Sequence, residues 1–149
     1  MKDKIKLHNI ATQKLVSQAK SFNLPKFNNK SFPKIVKKIR DSFKESETHI
    51  KLFGTYFIDS SFSEGFCMHA TYCLYKNCGE DKYWIIKRDS DHWWLIYKQT
   101  NEAFDISYDQ FLFPYEYEHG KVEQRIGKDK EFTESMQRSA FLLSKCAGI

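Results

Sequence analysis

Long apolar segments are missing from this sequence of 149 residues. Its apolar runs are all much shorter than the roughly 18 residues that a helix needs to cross a membrane, so we predict no contact with a membrane. Residues 1–20 are basic, and they lack the apolar core and the small-residue cleavage site of a secretory signal. We therefore expect a soluble protein with a cytoplasmic location, either in the cell that makes it or in a host cell.

Residues that break regular structure are also scarce, with only three prolines and six glycines. This composition argues against a disordered or low-complexity chain. Hydrophobic residues make up 41% of the sequence, and a chain of this length is sufficient for one domain with its own core. We therefore predict a single domain over residues 1–149.

The cysteines lack the spacing of a metal site. There are four, Cys67, Cys73, Cys78 and Cys146, and no closely spaced histidine pair accompanies them as it would in a zinc site. Thiols stay reduced in the cytoplasm, so disulfides are not expected. We predict neither a bound metal nor a cofactor.

The net charge of +5 is unevenly distributed along the chain. Residues 1–50 carry 12 Lys and Arg against 4 Asp and Glu, whereas residues 51–149 carry 12 against 15. A basic half of this kind can bind nucleic acid or an acidic protein partner. Its lysines can equally be the solvated faces of helices, because they are spread out and not clustered as in an RNA-binding arm. Both interpretations stay open.

The basic half has the apolar spacing of helices. This spacing predicts one helix over residues 4–21 and a second that starts just after Pro33. Between them, residues 23–33 contain two prolines and three asparagines and are predicted to form a loop. Residues 51–62 mix aromatic and β-branched side chains and are predicted to be a short strand or irregular.

The middle of the chain changes from a helical period to a strand period. Residues 66–75 are nearly apolar all round, which predicts a central buried helix, capped by Ser63 and ended by Asn77 and Gly79. The segments "KYWIIKR", "HWWLIYK" and "EAFDIS" that follow are aromatic and β-branched, and they are separated by turn residues. This pattern predicts consecutive antiparallel strands.

The last part of the chain completes the predicted fold. Residues 112–130 are predicted to be a long loop, and residues 131–146 a closing helix capped at or near Thr133. The fold class is therefore α+β, with a central buried helix packed on an antiparallel β-sheet and additional N- and C-terminal helices.

Cys67 occupies a special position among the cysteines, because it falls in the first turn of the predicted central helix. Unpaired backbone N–H groups and the positive end of the helix dipole stabilise a thiolate there. Gly65, two residues earlier, allows backbone or substrate to approach closely. A cysteine in an apolar helix can also be an ordinary core residue, and this alternative stays open.

A nucleophilic cysteine needs a base that a third group holds in place. His69 cannot turn back onto Cys67 from the same helix, whereas His92 opens a strand, and Asp105 follows 13 residues later in the next strand. In a hairpin, the residue numbers of every directly opposed pair add up to the same total. A turn centred between residues 98 and 99 therefore places His92 directly opposite Asp105. This register requires a connection over residues 97–100, and a tighter turn further along would prevent the hydrogen bond.

Three short segments carry a resemblance to a known family. "GFC", "DHWWLIY" and "FDISYDQF" resemble the Cys–His–Asp signature of the papain-like superfamily, in particular its transglutaminase-like branch. They are also similar to a group of small, poorly characterised bacterial and phage proteins with the pattern "GHC…HWWL…DxTxxQF". The resemblance covers residues 63–113, and it implies a papain-like fold with this region as the catalytic core. Phe66 and Ser107 differ from the His and Thr usual in that group.

The resemblance implies a role for each matching residue. Cys67 would be the nucleophile, His92 the general base and Asp105 the group that orients the histidine. Trp93 would pack beside the histidine, and Gln110 falls on a matching glutamine whose role the resemblance does not define.

The superfamily acts on amides through a thioester, so a protein or peptide substrate is implied, with peptide bonds, isopeptide bonds and glutamine side chains all open. Gly65, Trp93 and Gln110 are candidates for substrate or oxyanion contacts. The second oxyanion donor stays open among four further side chains: Thr55, Tyr56, Ser60 and Ser61.

Two further questions stay open at this stage. Five aromatic side chains near the strands either line a groove or pack in the core: Trp93, Trp94, Tyr97, Tyr115 and Tyr117. The alternative to an enzyme is a non-catalytic binding module on the same scaffold. Such a module would use the basic N-terminal half to bind nucleic acid or an acidic protein.

Overall fold

The fold is α+β, as the sequence predicts. A computed structural model describes residues 2–56, 61–90, 92–111 and 113–149, and these contain five α-helices and a four-stranded antiparallel sheet. The helices are α1 (Lys2–Lys20), α2 (Phe32–Ser42), α3 (Ser46–Phe53), α4 (Cys67–Asn77) and α5 (Lys130–Ala147). The strands are β1 (Trp84–Arg88), β2 (Trp93–Tyr97), β3 (Glu102–Phe104) and β4 (Lys121–Val122).

The sheet has the order β3-β2-β1-β4 and places β2 near its centre. All five residues of β2 are buried, because both faces of the strand are covered. Trp93, Leu95 and Tyr97 point into the main hydrophobic core, and Trp94 points to the opposite face, as the alternation along a strand requires. The three strands predicted from "KYWIIKR", "HWWLIYK" and "EAFDIS" are confirmed.

The region predicted as a long loop contains a fourth strand, β4, which pairs with β1. Both residues of β4 are exposed, so the segment has no apolar alternation by which it could be recognised. Its pairing depends on β1 offering a free edge, which is information that the local sequence does not hold.

Helix α4 is the central helix, and it packs on the sheet through a mostly buried surface. The hydroxyl of Thr71 donates to the carbonyl oxygen of Trp93 at 3.3 Å, which joins α4 to β2. The predicted cap is wrong, because Phe66 precedes the helix and Ser63 donates instead to the Asp109 carboxylate at 2.8 Å. The predicted stop is confirmed, since Asn77 is the last helical residue.

Several helix ends and caps differ from the predictions. Helix α2 begins at Phe32, before Pro33, because the Ser31 side chain accepts from the Lys34 amide and caps the helix. Of residues 51–62, predicted as a short strand or irregular, residues 51–53 belong to α3, which ends at a left-handed Gly54, and residues 57–60 lie outside the described residues. Helix α5 is capped by the Asp129 side chain and not by Thr133.

The helices of the basic half pack against the rest of the domain. Their buried apolar residues Leu15, Ile35, Val36 and Ile39 join the same core as α4, α5 and the sheet. Among the described residues, no helix combines the length and the apolar character that a membrane crossing needs.

Candidate active site

His92 and Asp105 form a buried ion pair at one end of the sheet. The Nε2 atom of His92 lies 2.5 Å from Oδ2 of Asp105, and both side chains are almost completely shielded from solvent. His92 directly precedes β2, and Asp105 directly follows β3. The two groups predicted to act together are therefore in contact.

The register that produces this contact is not the predicted one. Strands β2 and β3 pair Leu95 with Phe104, so Trp94 and not His92 falls opposite Asp105 along the ladder. His92 and Asp105 are diagonal neighbours on one face, and side chains reach across such a diagonal. Strand β3 also ends at Phe104, which frees the Asp105 backbone from the ladder and lets its carboxylate approach the imidazole.

The Asp105 carboxylate accepts further hydrogen bonds besides the one from His92. The hydroxyl of Tyr117 donates to Oδ2 at 2.7 Å, and the backbone amide of Ser107 donates to Oδ1 at 3.1 Å. Burial and the nearby Asp105 charge raise the pKa of Tyr117, so its phenol stays protonated and remains a donor. These bonds hold the carboxylate in place against the imidazole.

Tyr117 was not predicted as a site residue. It lies in a short 3-10 turn (Tyr117–His119) within the region predicted as a loop, and it reaches Asp105 only because that loop folds back over the sheet. No local pattern in "PYEYEHG" distinguishes Tyr117 from Tyr115, so the sequence contains no signal for this role.

Cys67 completes the arrangement. It is the first residue of α4 and is half-buried, and its side chain forms a hydrogen bond with the His92 ring. Burial disfavours the imidazolium, but the hydrogen bonds and charges of Asp105 and Cys67 outweigh burial and raise the pKa of His92 to about 9. His92 therefore holds a proton at neutral pH.

Gln110 lies against the second ring nitrogen of His92. Its Nε2 atom is 3.0 Å from His92 Nδ1, while its own Oε1 is buried without a hydrogen-bond partner. The orientation of an amide is assigned from its hydrogen bonds. In the orientation described, the amide N–H donates to Nδ1 of a neutral His92 ring. If the amide is rotated by 180°, its Oε1 instead accepts from the Nδ1–H of the imidazolium. Gln110 can thus serve both protonation states of His92.

Aromatic rings enclose the imidazole on its remaining sides. Trp94 stacks on His92 with centroids 5.8 Å apart, and Phe111 and Tyr115 approach to 4.6 Å and 4.9 Å. Aromatic faces stabilise a cation such as the imidazolium. Residues 113–120, here called the covering loop, pack on Trp94. A Cβ at Gly120 would lie 2.2 Å from the Trp94 ring, so only glycine lets the covering loop lie this close.

The resemblance placed Trp93 beside the histidine, and this is corrected by the geometry. Trp93 points to the opposite face of β2, where the Arg125 guanidinium lies 5.9 Å from its ring. The ring that stacks on His92 belongs to Trp94, one residue later. Trp93, Trp94 and Tyr97 are all buried, so they pack the core and do not line an open groove.

Arg40, from the basic half, anchors the segment that carries Gln110. Its side chain is completely buried and holds Asp109 with two hydrogen bonds, of 2.7 Å and 3.0 Å. It also donates to the carbonyl oxygen of Ile106 at 3.2 Å. The short 3-10 turn Tyr108–Gln110 is thereby tied to α2.

The partners of Arg40 form a buried polar network. Burial alone would raise the pKa of Asp109, but the hydrogen bonds and charge of Arg40 lower it overall. Burial and the Arg40 charge lower the pKa of His8 to about 4, so His8 stays neutral and contacts the Arg40 carbonyl oxygen at 2.7 Å. Arg40 falls on the apolar stripe of α2 with Ile39 and Phe43, which is the one signal in the sequence for its burial.

The remaining oxyanion candidates have varied positions. Gly65 adopts a left-handed conformation with φ of 85°. Other residues rarely adopt this conformation, so the backbone alone accounts for a glycine at this position. The hydroxyl of Ser61 contacts that of Ser63 at 3.1 Å, and Thr55 and Tyr56 are exposed. Ser60 lies outside the described residues.

The other cysteines have environments unlike that of Cys67. Cys73 and Cys78 are completely buried, and burial raises the pKa of Cys73 to about 11. Cys146 is half-buried near the end of α5. Among these thiols, Cys67 is the one that contacts a histidine, His92, which in turn contacts the Asp105 carboxylate.

A set of possible metal ligands occurs on the surface of the covering loop. Glu116, Glu118 and His119 place their ligand atoms within 4.8 Å of one another, and all three are exposed. Exposed groups of this kind are common without an ion, so they define no metal centre.

Comparison with known proteins identifies no relative of this chain. No family model, no curated protein and no solved structure matches it.

Proposed function

We propose that the protein is a cysteine hydrolase or acyltransferase that acts on amides through a thioester. The observation that carries this proposal is the contact of one buried imidazole with both a half-buried thiol at a helix start and a buried carboxylate. This is the arrangement of nucleophile, base and orienting group that covalent acyl transfer requires. The resemblance to papain-like enzymes points to the same chemistry.

The reaction follows from the state of the histidine. The Nε2–H of His92 donates a hydrogen bond to Asp105, so Nδ1, which also lies against Gln110, is the ring nitrogen that receives the proton of Cys67. The thiolate attacks the amide carbonyl carbon, and the backbone N–H groups in the first turn of α4 stabilise the oxyanion. The imidazolium then gives its proton to the leaving amine, and a thioester forms on Cys67. Water or an amine, deprotonated by His92, releases the acyl group.

The basic N-terminal half is assigned a structural part in this proposal. Arg40 supports the turn that presents Gln110 to the imidazole, and α1 and α2 contribute to the shared core. No described contact favours nucleic-acid binding by residues 1–50 over a solvated surface. That alternative stays a prediction.

An activated ester tests the proposed function without knowledge of the natural substrate. With p-nitrophenyl acetate, the wild type should release a burst of p-nitrophenolate equal to the enzyme concentration and gain one acetyl group on Cys67. Cys67→Ala should abolish the burst, and Cys146→Ala, the control at the other half-buried thiol, should retain it. Equal bursts from both variants would contradict the proposal.

A further inference from the structure

A pocket lined by basic side chains lies beside the sheet, and the proposed mechanism does not use it. Its volume is about 860 Å³, and its cationic side chains are Arg88, Lys121, Arg125 and Lys128. The lysines are exposed. We call this feature the basic pocket.

Both arginines of the basic pocket contact one buried carboxylate. The Glu123 side chain is completely buried, accepts two hydrogen bonds from Arg125 and forms an ion pair of 2.8 Å with Arg88. The Arg125 guanidinium also lies 3.9 Å from the centroid of the Phe132 ring. Four cations against two carboxylates, Glu123 and Asp129, leave an excess of two positive charges.

The basic pocket is close to the candidate active site. Arg88 pairs with Trp93, which follows His92, so strand geometry puts the Cα atoms of Arg88 and His92 about 6 Å apart. The Arg88 side chain shares the Trp93 face of the sheet, where α4 packs, and not the face on which Trp94 stacks on His92. Thr71 donates to the carbonyl oxygen of Trp93, and Cys67 lies one helical turn, about 5.4 Å, before Thr71. An extended peptide spans roughly 10 Å in three residues, so one chain can reach both places.

We propose that the basic pocket binds the carboxylate side chains of an acidic peptide whose amide reacts at Cys67. This inference rests on the proposed function and narrows its substrate to acidic proteins or peptides. Glu123 occupies Nε and Nη2 of Arg125, and Nη1 of Arg125 and the two exposed lysines are the cationic donors that can meet a carboxylate. Single-stranded nucleic acid would instead need exposed aromatic rings for stacking, and here Trp93 is buried and Arg125 covers both Trp93 and Phe132.

The test measures binding on protein that cannot react. Cys67→Ala protein is titrated, at low ionic strength, into a fluorescein-labelled peptide of alternating Glu and Ala and into the same peptide with Gln for Glu. Anisotropy should show about tenfold tighter binding of the Glu peptide. Adding Lys121→Glu and Lys128→Glu should weaken that binding by about tenfold or more. A control with the same net charge, Lys20→Glu and Lys26→Glu, should change it less than about twofold.

Three outcomes would overturn the inference. The first is equal binding of the Glu and Gln peptides, and the second is an equal loss in the two charge-matched variants, which would show an effect of net charge alone. The third is tight binding of a labelled single-stranded oligonucleotide, lost with Lys121 and Lys128, in the absence of peptide binding. The acetylation burst of the wild type does not depend on peptide binding. If the basic pocket binds no acidic peptide but the burst is present, the inference fails while the proposed function stands.

Discussion

Asp105→Asn should slow the alkylation of Cys67 at neutral pH by roughly 10- to 30-fold, because a free thiol with a pKa of about 8.5 is only about 3% thiolate at pH 7. The substitution keeps the size of the side chain but removes the charge that, with a hydrogen bond of 2.5 Å, holds His92 protonated. The pKa of His92 then falls from about 9, and the thiolate of Cys67 loses its cationic partner. Alkylation by iodoacetamide, followed by mass spectrometry, gives the rate.

The same variant should show a characteristic dependence of stability on pH. The pKa of His92 rises on folding from 6.5 to about 9, so its contribution to stability is complete below pH 6.5 and is lost as the pH rises through 9. Urea titration should show the wild type more stable than Asp105→Asn, on the order of 2 kcal/mol near pH 6, with a difference that shrinks towards pH 9.

Asp81→Asn, at an exposed carboxylate, is the control for the Asp105 substitution and should leave both the alkylation rate and the stability profile unchanged. An Asp105 that served only as a turn residue would give a stability loss independent of pH, with the alkylation rate intact. That combination would disprove the coupling of Asp105 to Cys67 through His92.

Arg40→Leu should be the most destabilising single change in the basic half, with a loss of about 3–5 kcal/mol in the free energy of unfolding. It leaves the Asp109 carboxylate, which is 16% exposed, without its bidentate partner. Because Asp109 adjoins Gln110, the alkylation rate of Cys67 should fall as well. Urea denaturation and iodoacetamide labelling below the unfolding transition measure the two effects.

Two comparisons keep this prediction specific. Lys37→Leu breaks the exposed ion pair with Asp41 on the same helix and should have little effect, because such pairs are screened by solvent. The double variant Arg40→Leu/Asp109→Leu removes both charges and should be more stable than Arg40→Leu alone. A single variant as stable as Lys37→Leu would show that the buried pair does not hold this turn.

The elements that the sequence predicts well are those whose own residues carry a strong pattern. The apolar helix from Cys67 and the aromatic strand from Trp93 to Tyr97 are buried on nearly all sides, so their composition identifies them without knowledge of their partners. Cys67, His92 and Asp105 lie at the boundaries of these elements, and this was sufficient to predict that the three side chains lie close together. The hairpin register was not predictable, because the turn over residues 98–101 has no Asn-Gly or similar signal.

The features that the sequence does not predict depend on distant contacts. Strand β4 exists through its pairing with β1, and Tyr117 reaches Asp105 because the covering loop packs on Trp94. The burial of Arg40 depends on Asp109, which is 69 residues away in the chain. The apolar stripe of α2 marks Arg40 as facing the core, but local period and propensity contain no information about which distant residue pairs with it, so the roles of these residues could be assigned only after the fold was known.

The reactivity of the four thiols tests the proposed arrangement most directly. Wild-type protein is treated with a limiting amount of iodoacetamide at pH 6.5 to 7, and the modified cysteines are identified by peptide mass spectrometry over time. Cys146 is the internal reference, since it is half-buried like Cys67 but lies near the end of α5. We predict that Cys67 reacts about 100-fold faster than Cys146, with Cys73 and Cys78 unreactive in the folded protein. Labelling of Cys146 at the same rate as Cys67, or faster, would contradict a thiolate held by His92.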